Sequence, residues 1–223
     1  MIAGMAGIFR SAYAPFVLAV VALVPLPGQT ADQNATTTDR DSRVRAFLER
    51  SRSQWHDLNV PYEDGQVLHD LIVNKHFTRG LEIGTSTGHS GTWIAWAMSK
   101  TGGKLTTIEI DEARHRTALQ NFRDAGIDSF VDARLGNAHD LVRELPGPWD
   151  FVFSDADKDW YTQYFKDVDS KLVAGGCFTA HNVLDPFAGI AAFLDFVRAR
   201  PNYQTAIDRT SRSGISISCK QRQ

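Results

Sequence analysis

Two short stretches of the sequence carry side chains that could hold a cation or move a proton. SDADKDWY, residues 154–161, offers Asp155, Asp157 and Lys158 directly after an apolar run, and TAHNVL, residues 179–184, offers His181 beside Asn182. Carboxylate, amine, imidazole and carboxamide can together ligate a divalent ion or relay a proton; either stretch alone is only a polar strand end. A third stretch, LEIGTSTGHS over 81–90, turns on glycine, presents hydroxyls at Thr85, Ser86 and Thr87, and sets a carboxylate, Glu82, at its base. Its spacing is E-x-G-x-x-x-G, not G-x-G-x-x-G. A pyrophosphate wants bare backbone N–H groups and no adjacent carboxylate, so this loop is poorly suited to a dinucleotide. It suits a cofactor bearing an ammonium and a sulfonium.

These residues need a scaffold that brings them to one place, and the pattern from Arg43 onward supplies it. Strand-like runs over 80–85, 104–110, 130–136, 149–155 and 176–182 alternate with helical patterns near 89–100, 111–125, 137–145, 159–173 and 187–199. Two further helices precede the first strand, and two further strands, 203–207 and 214–220, close the chain. Such alternation predicts an α/β fold of the Rossmann-like class I kind, a seven-stranded, mostly parallel sheet with helices on both faces. Ligands in open sheets of this type bind outside the carboxyl ends of the strands. Read in that order, the strand ends carry Glu82 to Ser90, then Glu109, Gly136-Asn137, Asp155 to Lys158, and His181-Asn182. Glu109, at the end of the second strand, stands where a carboxylate can accept two hydrogen bonds from a ribose diol. Gly136 to His139 is placed to border an adenine.

At this point the sequence resembles the S-adenosylmethionine-dependent O-methyltransferases of the caffeoyl-CoA and catechol O-methyltransferase type. The resemblance runs from about Leu58 to Lys220 through LNVPYEDGQVLHDLI, LEIGTSTGHSGTWIAWAM, TTIEIDEARHRTALQNFRDAGI, DFVFSDADKDWYTQYF and LVAGGCFTAHNVL. It implies that Glu82, Gly84 and Ser90, with Ser86 in the same loop, meet the methionine end of the cofactor. Glu109 would bind the ribose, Ala138 and His139 would flank the adenine, and Val60 would cover the cofactor from the N-terminal side. Asp155 would serve both cofactor and cation. The resemblance further implies a metal site at Asp155, His181 and Asn182, with Lys158 as the catalytic base.

The sequence departs from the family at His181, where the pattern has aspartate. Imidazole suits zinc, iron, nickel or copper better than magnesium, so a cation here is expected to lean away from magnesium. The alternative is a histidine that only hydrogen-bonds at a strand end, in an enzyme working without metal. Asp157 is expected to cap the following helix rather than to act. Trp93 and Trp96 are expected in the core, and Trp55, His56, Trp160 and Tyr161 could wall a flat, phenolic or catechol-like acceptor.

Composition sets the outer bounds. The 223 residues are 43% hydrophobic and carry a net charge of -2 with both signs scattered, which favours small-molecule partners over nucleic acid. Residues 1–31 read as an export signal or membrane anchor, 32–42 as a polar linker outside the fold, and 43–223 as the methyltransferase domain. The uncharged run after Arg10 is shorter than the roughly 20 apolar residues of a comfortable span, which favours a cleaved signal. The N-terminus thus points to export, periplasmic or membrane-anchored, whereas the resemblance points to the cytoplasm and to a homodimer. A misassigned start codon ahead of a cytosolic enzyme is the other reading. Cys177 and Cys219 are too few for a disulfide framework and read as buried thiols, which the resemblance places on neighbouring antiparallel strands. Two rivals remain at this level: a nicotinamide-dependent oxidoreductase and a non-catalytic periplasmic binding protein.

Overall fold

The computed structural model describes Met1, residues 27–56 and residues 58–222. Helices α1 (Pro27–Arg50) and α2 (Tyr62–Lys75) lead into an alternating series: β1 (Arg79–Ile83), α3 (His89–Thr101), β2 (Lys104–Glu109), α4 (Glu112–Ala125), β3 (Val131–Leu135), α5 (Ala138–Glu144) and β4 (Trp149–Ser154). Then follow α6 (Tyr161–Asp169), β5 (Leu172–His181), α7 (Ala188–Arg198) and the hairpin of β6 (Tyr203–Asp208) with β7 (Ile215–Lys220).

The seven strands form one sheet in the order β3-β2-β1-β4-β5-β7-β6. Strands β1 to β5 are mutually parallel, and β7 inserts antiparallel between β5 and β6. Period-two alternation divides the side chains between two cores. Phe151 and Phe153 of β4 join Leu48, Ile72, Trp96 and Phe122 beneath α1 to α4, whereas Val152 between them joins Val142, Phe165 and Phe193 beneath α5 to α7. A sheet covered on both faces exposes polar groups only at its ends, and chain order reverses between β1 and β4, opening a crevice there. Trp93 and Trp96 lie in the first core, as expected.

Three expectations need correction. The polar tract over 32–42 lies inside α1 rather than in a linker, and Asp41 docks onto α3, accepting hydrogen bonds from Trp96 Nε1 (2.6 Å) and Lys100 Nζ (2.5 Å). The core residues of α1, Val44, Phe47 and Leu48, lie beyond the tract, so the tract itself carries no hydrophobic period to read. The fifth strand begins at Leu172, not 176, because Gly175, at φ +85°, sits within a register shift opposite Trp149 and Phe151 and imitates a turn. Cys177 and Cys219 are direct partners across the antiparallel β5–β7 pair and form a disulfide, not two thiols. The signal-or-anchor reading lies outside the described residues as far as residue 26. Among the described residues no helix is long and apolar enough to cross a membrane.

Candidate active site

The loop after β1 is folded by its glycines. Gly84 (φ +98°) and Ser86 (φ +49°) take left-handed backbone, and the N–H groups of Gly84 and Thr85 both donate to the Ile108 carbonyl of β2, at 3.1 Å each. A Cβ on Gly84 would stand 3.0 Å from Ala156 N, so only glycine lets the loops after β1 and β4 touch. Beneath the loop, Glu82 is fully buried and accepts from the Ser90 hydroxyl (2.6 Å) and the Thr107 hydroxyl (2.5 Å). Burial pushes its carboxyl up to about 8, against those two hydrogen bonds and helped by the charges of Asp155 and Glu109. Glu109 lies at the end of β2, where one carboxylate oxygen accepts from Ser86 N (2.7 Å) and the other from Asp111 N (2.9 Å). Each oxygen keeps a further lone pair.

A cavity of about 790 Å³ opens over these strand ends. Gly84, Ser86, Glu109, Ala138, His139 and Asp155 line it together with Lys158, His181 and Asn182. Three residues assigned to the cofactor, Val60, Glu82 and Ser90, are not among its lining. Glu82 and Ser90 face each other under the loop, and Val60 is buried with its carbonyl accepting from His89 Nδ1 (2.8 Å). His139 follows the Asn137 side chain that caps α5 (Asn137 Oδ1 to His139 N, 2.9 Å), and its ring stacks on Trp160 at 3.6 Å and 13°.

The expected aromatic wall is not formed. Tyr161 is wholly buried, Trp55 stacks on His89, Trp160 stacks behind His139, and none of these borders the cavity. The apolar lining comes instead from Leu58, Ile110 and Phe187, large side chains left 73%, 68% and 48% exposed. Asp157 caps the turn at Lys158, accepting from Asp159 N at 3.1 Å.

At the β4–β5 end the polar groups are matched to one another. Lys158 Nζ donates to Asp155 Oδ1 (2.5 Å) and to the Asp155 carbonyl (3.1 Å). His181 Nδ1 stands 3.1 Å from Asn182 Oδ1 and 3.4 Å from Asp155 Oδ1. Its Nε2 stands 2.7 Å from Oδ2 of Asp64, a carboxylate on α2 with no exposure to solvent. Burial works to raise the Asp155 carboxyl, but the hydrogen bond and charge of His181, then Lys158, outweigh it and hold Asp155 below its ordinary value. For His181 burial works downward and the two aspartates prevail, raising the imidazole to about 9.

The residues expected to hold a cation, Asp155, His181 and Asn182, are engaged with one another and with Lys158 and Asp64, a donor set that does not fit a metal. Both ring nitrogens of His181 face oxygen acceptors, the Asn182 oxygen turns to that ring, and the Asp155 oxygen nearest it also holds Lys158. Among the described residues no group of three or more His, Cys, Asp or Glu is arranged to hold a metal ion. Asp64 is the site residue that reading the sequence missed. A signal was present: Asp64 shares the buried stripe of α2 with Leu68 and Ile72 at helical spacing, and an acid in an apolar stripe needs a partner.

Comparison with known proteins agrees with this geometry. A family model described as O-methyltransferase matches residues 37–195. The chain belongs to the O-methyltransferase family. A catechol O-methyltransferase of Niastella koreensis is 41% identical over 123 residues, covering 53% of this chain and 54% of that protein. A caffeoyl-CoA O-methyltransferase of Medicago sativa is 29% identical over 140 residues, covering 60% and 56%. The chain thus spans about half the length of the curated relatives it matches. Among solved structures, an O-methyltransferase from Bacillus cereus in complex with SAH superposes with a TM-score of 0.71 at 25% identity, over 81% of this chain and 91% of that one. An O-methyltransferase from Streptomyces achromogenes in complex with SAM gives 0.70 at 25%, over 81% and 90%. Neither the oxidoreductase nor the non-catalytic binding protein is favoured by these matches.

Proposed function

We propose that this chain transfers the methyl group of S-adenosylmethionine to a hydroxyl of a small, flat, phenolic or catechol-like acceptor. One observation carries the reading: a single cavity joins the Glu109 carboxylate and the Gly84 turn to the Lys158–Asp155 pair. The cofactor supplies an electrophilic methyl on a sulfonium, so transfer breaks a C–S bond and forms a C–O bond.

The chain's own residues do the rest. Glu109, already oriented by two backbone N–H groups, has lone pairs left for a ribose diol. Ile110 and His139 would border the adenine, and Glu82, held by Ser90 and Thr107, would support from below the loop that meets the methionine end. Leu58 and Phe187 supply apolar surface for an aromatic ring at the mouth of the cavity. Lys158 acts as the base in its amine form, after its own proton has passed to solvent through the open cavity; taking the proton of the acceptor hydroxyl returns it to the ammonium that pairs with Asp155, so the phenolate oxygen forms beside a fixed cation. The Bacillus cereus and Streptomyces achromogenes structures, which hold SAH and SAM, support the choice of cofactor.

Calorimetric titration with S-adenosylhomocysteine, followed by methyl transfer to catechol and to caffeoyl-CoA, tests the reading. Binding with transfer to either acceptor is expected; absence of binding would sink it. Export also belongs to this reading. It is supported by the uncharged run after Arg10 and by the Cys177–Cys219 disulfide, a bond that persists in oxidising compartments. Cell fractionation with an intact-mass measurement of the N-terminus tests it.

A further inference from the structure

His181 is enclosed by oxygen atoms, and the other hydrogen bonds of those groups restrict the directions around the ring. Asn182 Nδ2 donates to Asp185 Oδ2 at 2.7 Å, which sets the amide so that Oδ1 faces His181 Nδ1. On the other side, Asp64 Oδ2 accepts from the Ser211 hydroxyl at 2.7 Å, and Ser211 Oγ in turn accepts from Gly214 N at 3.2 Å. That hydroxyl is therefore spent on Asp64, and with Asp64 ionised it is His181 Nε2 that supplies the proton of their contact. With acceptors at both nitrogens and no donor facing the ring, the consistent assignment is an N–H on each side.

We propose that in this chain a protonated His181, clamped between Asp64 and Asp155, stands in place of a divalent cation, and that Asp64 is the positioning residue that keeps it there. The charges match this role. Asp64, fully buried on α2, and Asp155, 12% exposed just after β4, are two carboxylates brought together, and leaving either uncompensated there would be costly. The imidazolium supplies one positive charge between them and Lys158 a second beside Asp155. The ring remains at the cavity wall, where its Nδ1 edge fixes the Asp155 carboxylate that pairs with the catalytic lysine. Asp64 touches no reacting atom; it acts by holding the ring.

The first test is titration of the purified wild-type chain with Mn²⁺, followed by electron paramagnetic resonance. No stoichiometric binding is expected, and one tightly bound ion per chain would overturn the proposal. His181→Asp removes the ring and restores an all-oxygen donor set, so this variant is expected to gain one Mn²⁺ per chain. A folded variant that gains none would also count against the assignment.

The second test rests on the function proposed above. Asp64→Asn is expected to lower kcat by about tenfold with affinity for S-adenosylhomocysteine unchanged, the pattern of a misplaced reacting group. Unchanged kcat would remove Asp64 from the site. If Asp64→Asn fails to fold, the wild-type titration still decides. If no acceptor is methylated at all, the proposed function fails while the Mn²⁺ result stands on its own.

Discussion

On the β1–β2 side of the cavity, Glu82 and Glu109 take hydrogen bonds from hydroxyls and backbone N–H groups; on the β4–β5 side, Asp155 and Asp64 are met by Lys158 and His181. Both halves are rich in carboxyl groups, yet one meets them only with dipoles and the other neutralises them with side-chain cations. Dipoles orient a carboxylate without cancelling it, so the first half can still attract a cationic ligand. The second half is self-sufficient, and its cations are placed to act on an incoming hydroxyl instead.

The largest expected effect breaks the cation side. Lys158→Met should lower kcat by about 10³-fold, within the usual range for a lost acid–base group, while affinity for S-adenosylhomocysteine changes by less than about twofold. A matching loss of cofactor affinity would mean that the two halves do not divide the work. Next comes the pH response of the dipole side. Glu82 has its carboxyl raised from 4.5 to about 8 by burial, so its contribution to stability is fully present below the unfolded value and is lost as pH rises through the folded one. Glu82→Gln removes that dependence, and its stability relative to wild type should improve by a few kcal/mol between about pH 5 and pH 8. Denaturant melts across that range check it; parallel curves for the two proteins would refute it.

Glu109→Ala sharpens the same side, with an expected loss of about 1.5–3 kcal/mol in cofactor binding by calorimetry and little change in kcat at saturation. The smallest effect is a control outside both halves. Asp41→Ala should cost about 1–2 kcal/mol of stability, because Trp96 Nε1 and Lys100 lose their acceptor, with cofactor affinity unaltered. Melting at the wild-type temperature would show the docking of α1 to be idle.

The difference between the halves also explains what could be read in advance. Glu82, Gly84 and Glu109 stand at the ends of apolar strands, and a polar residue leaving such a run is visible along the chain. The fold followed from the same periodicity, since β1 to β4 are bounded by changes from apolar to polar within a residue or two of their ends. His181 and Asn182 were visible for the same reason, but their chemistry was not. The partner that decides it, Asp64, lies 117 residues earlier on a helix, and no local pattern links the two. Val60 and Ser90 were expected at the cofactor because of their place in the motif. The Ser90 hydroxyl is engaged with Glu82, and Val60 is buried with its carbonyl on His89, which only packing reveals.

The disulfide bears on the same wall of the cavity. Between Cys177 and Cys219, 42 positions apart, run His181 and Asn182, the apolar rim at Phe187, helix α7 and the Ser211 that holds Asp64. Joining the ends of a loop this long removes conformations from the unfolded chain, worth about 4 kcal/mol on the chain-entropy account. The bond is therefore a tether on the unfolded ensemble of the segment that carries half the chemistry, and reduction would let that segment wander when it opens. The β1–β2 half has no such tether, and its order depends on packing alone.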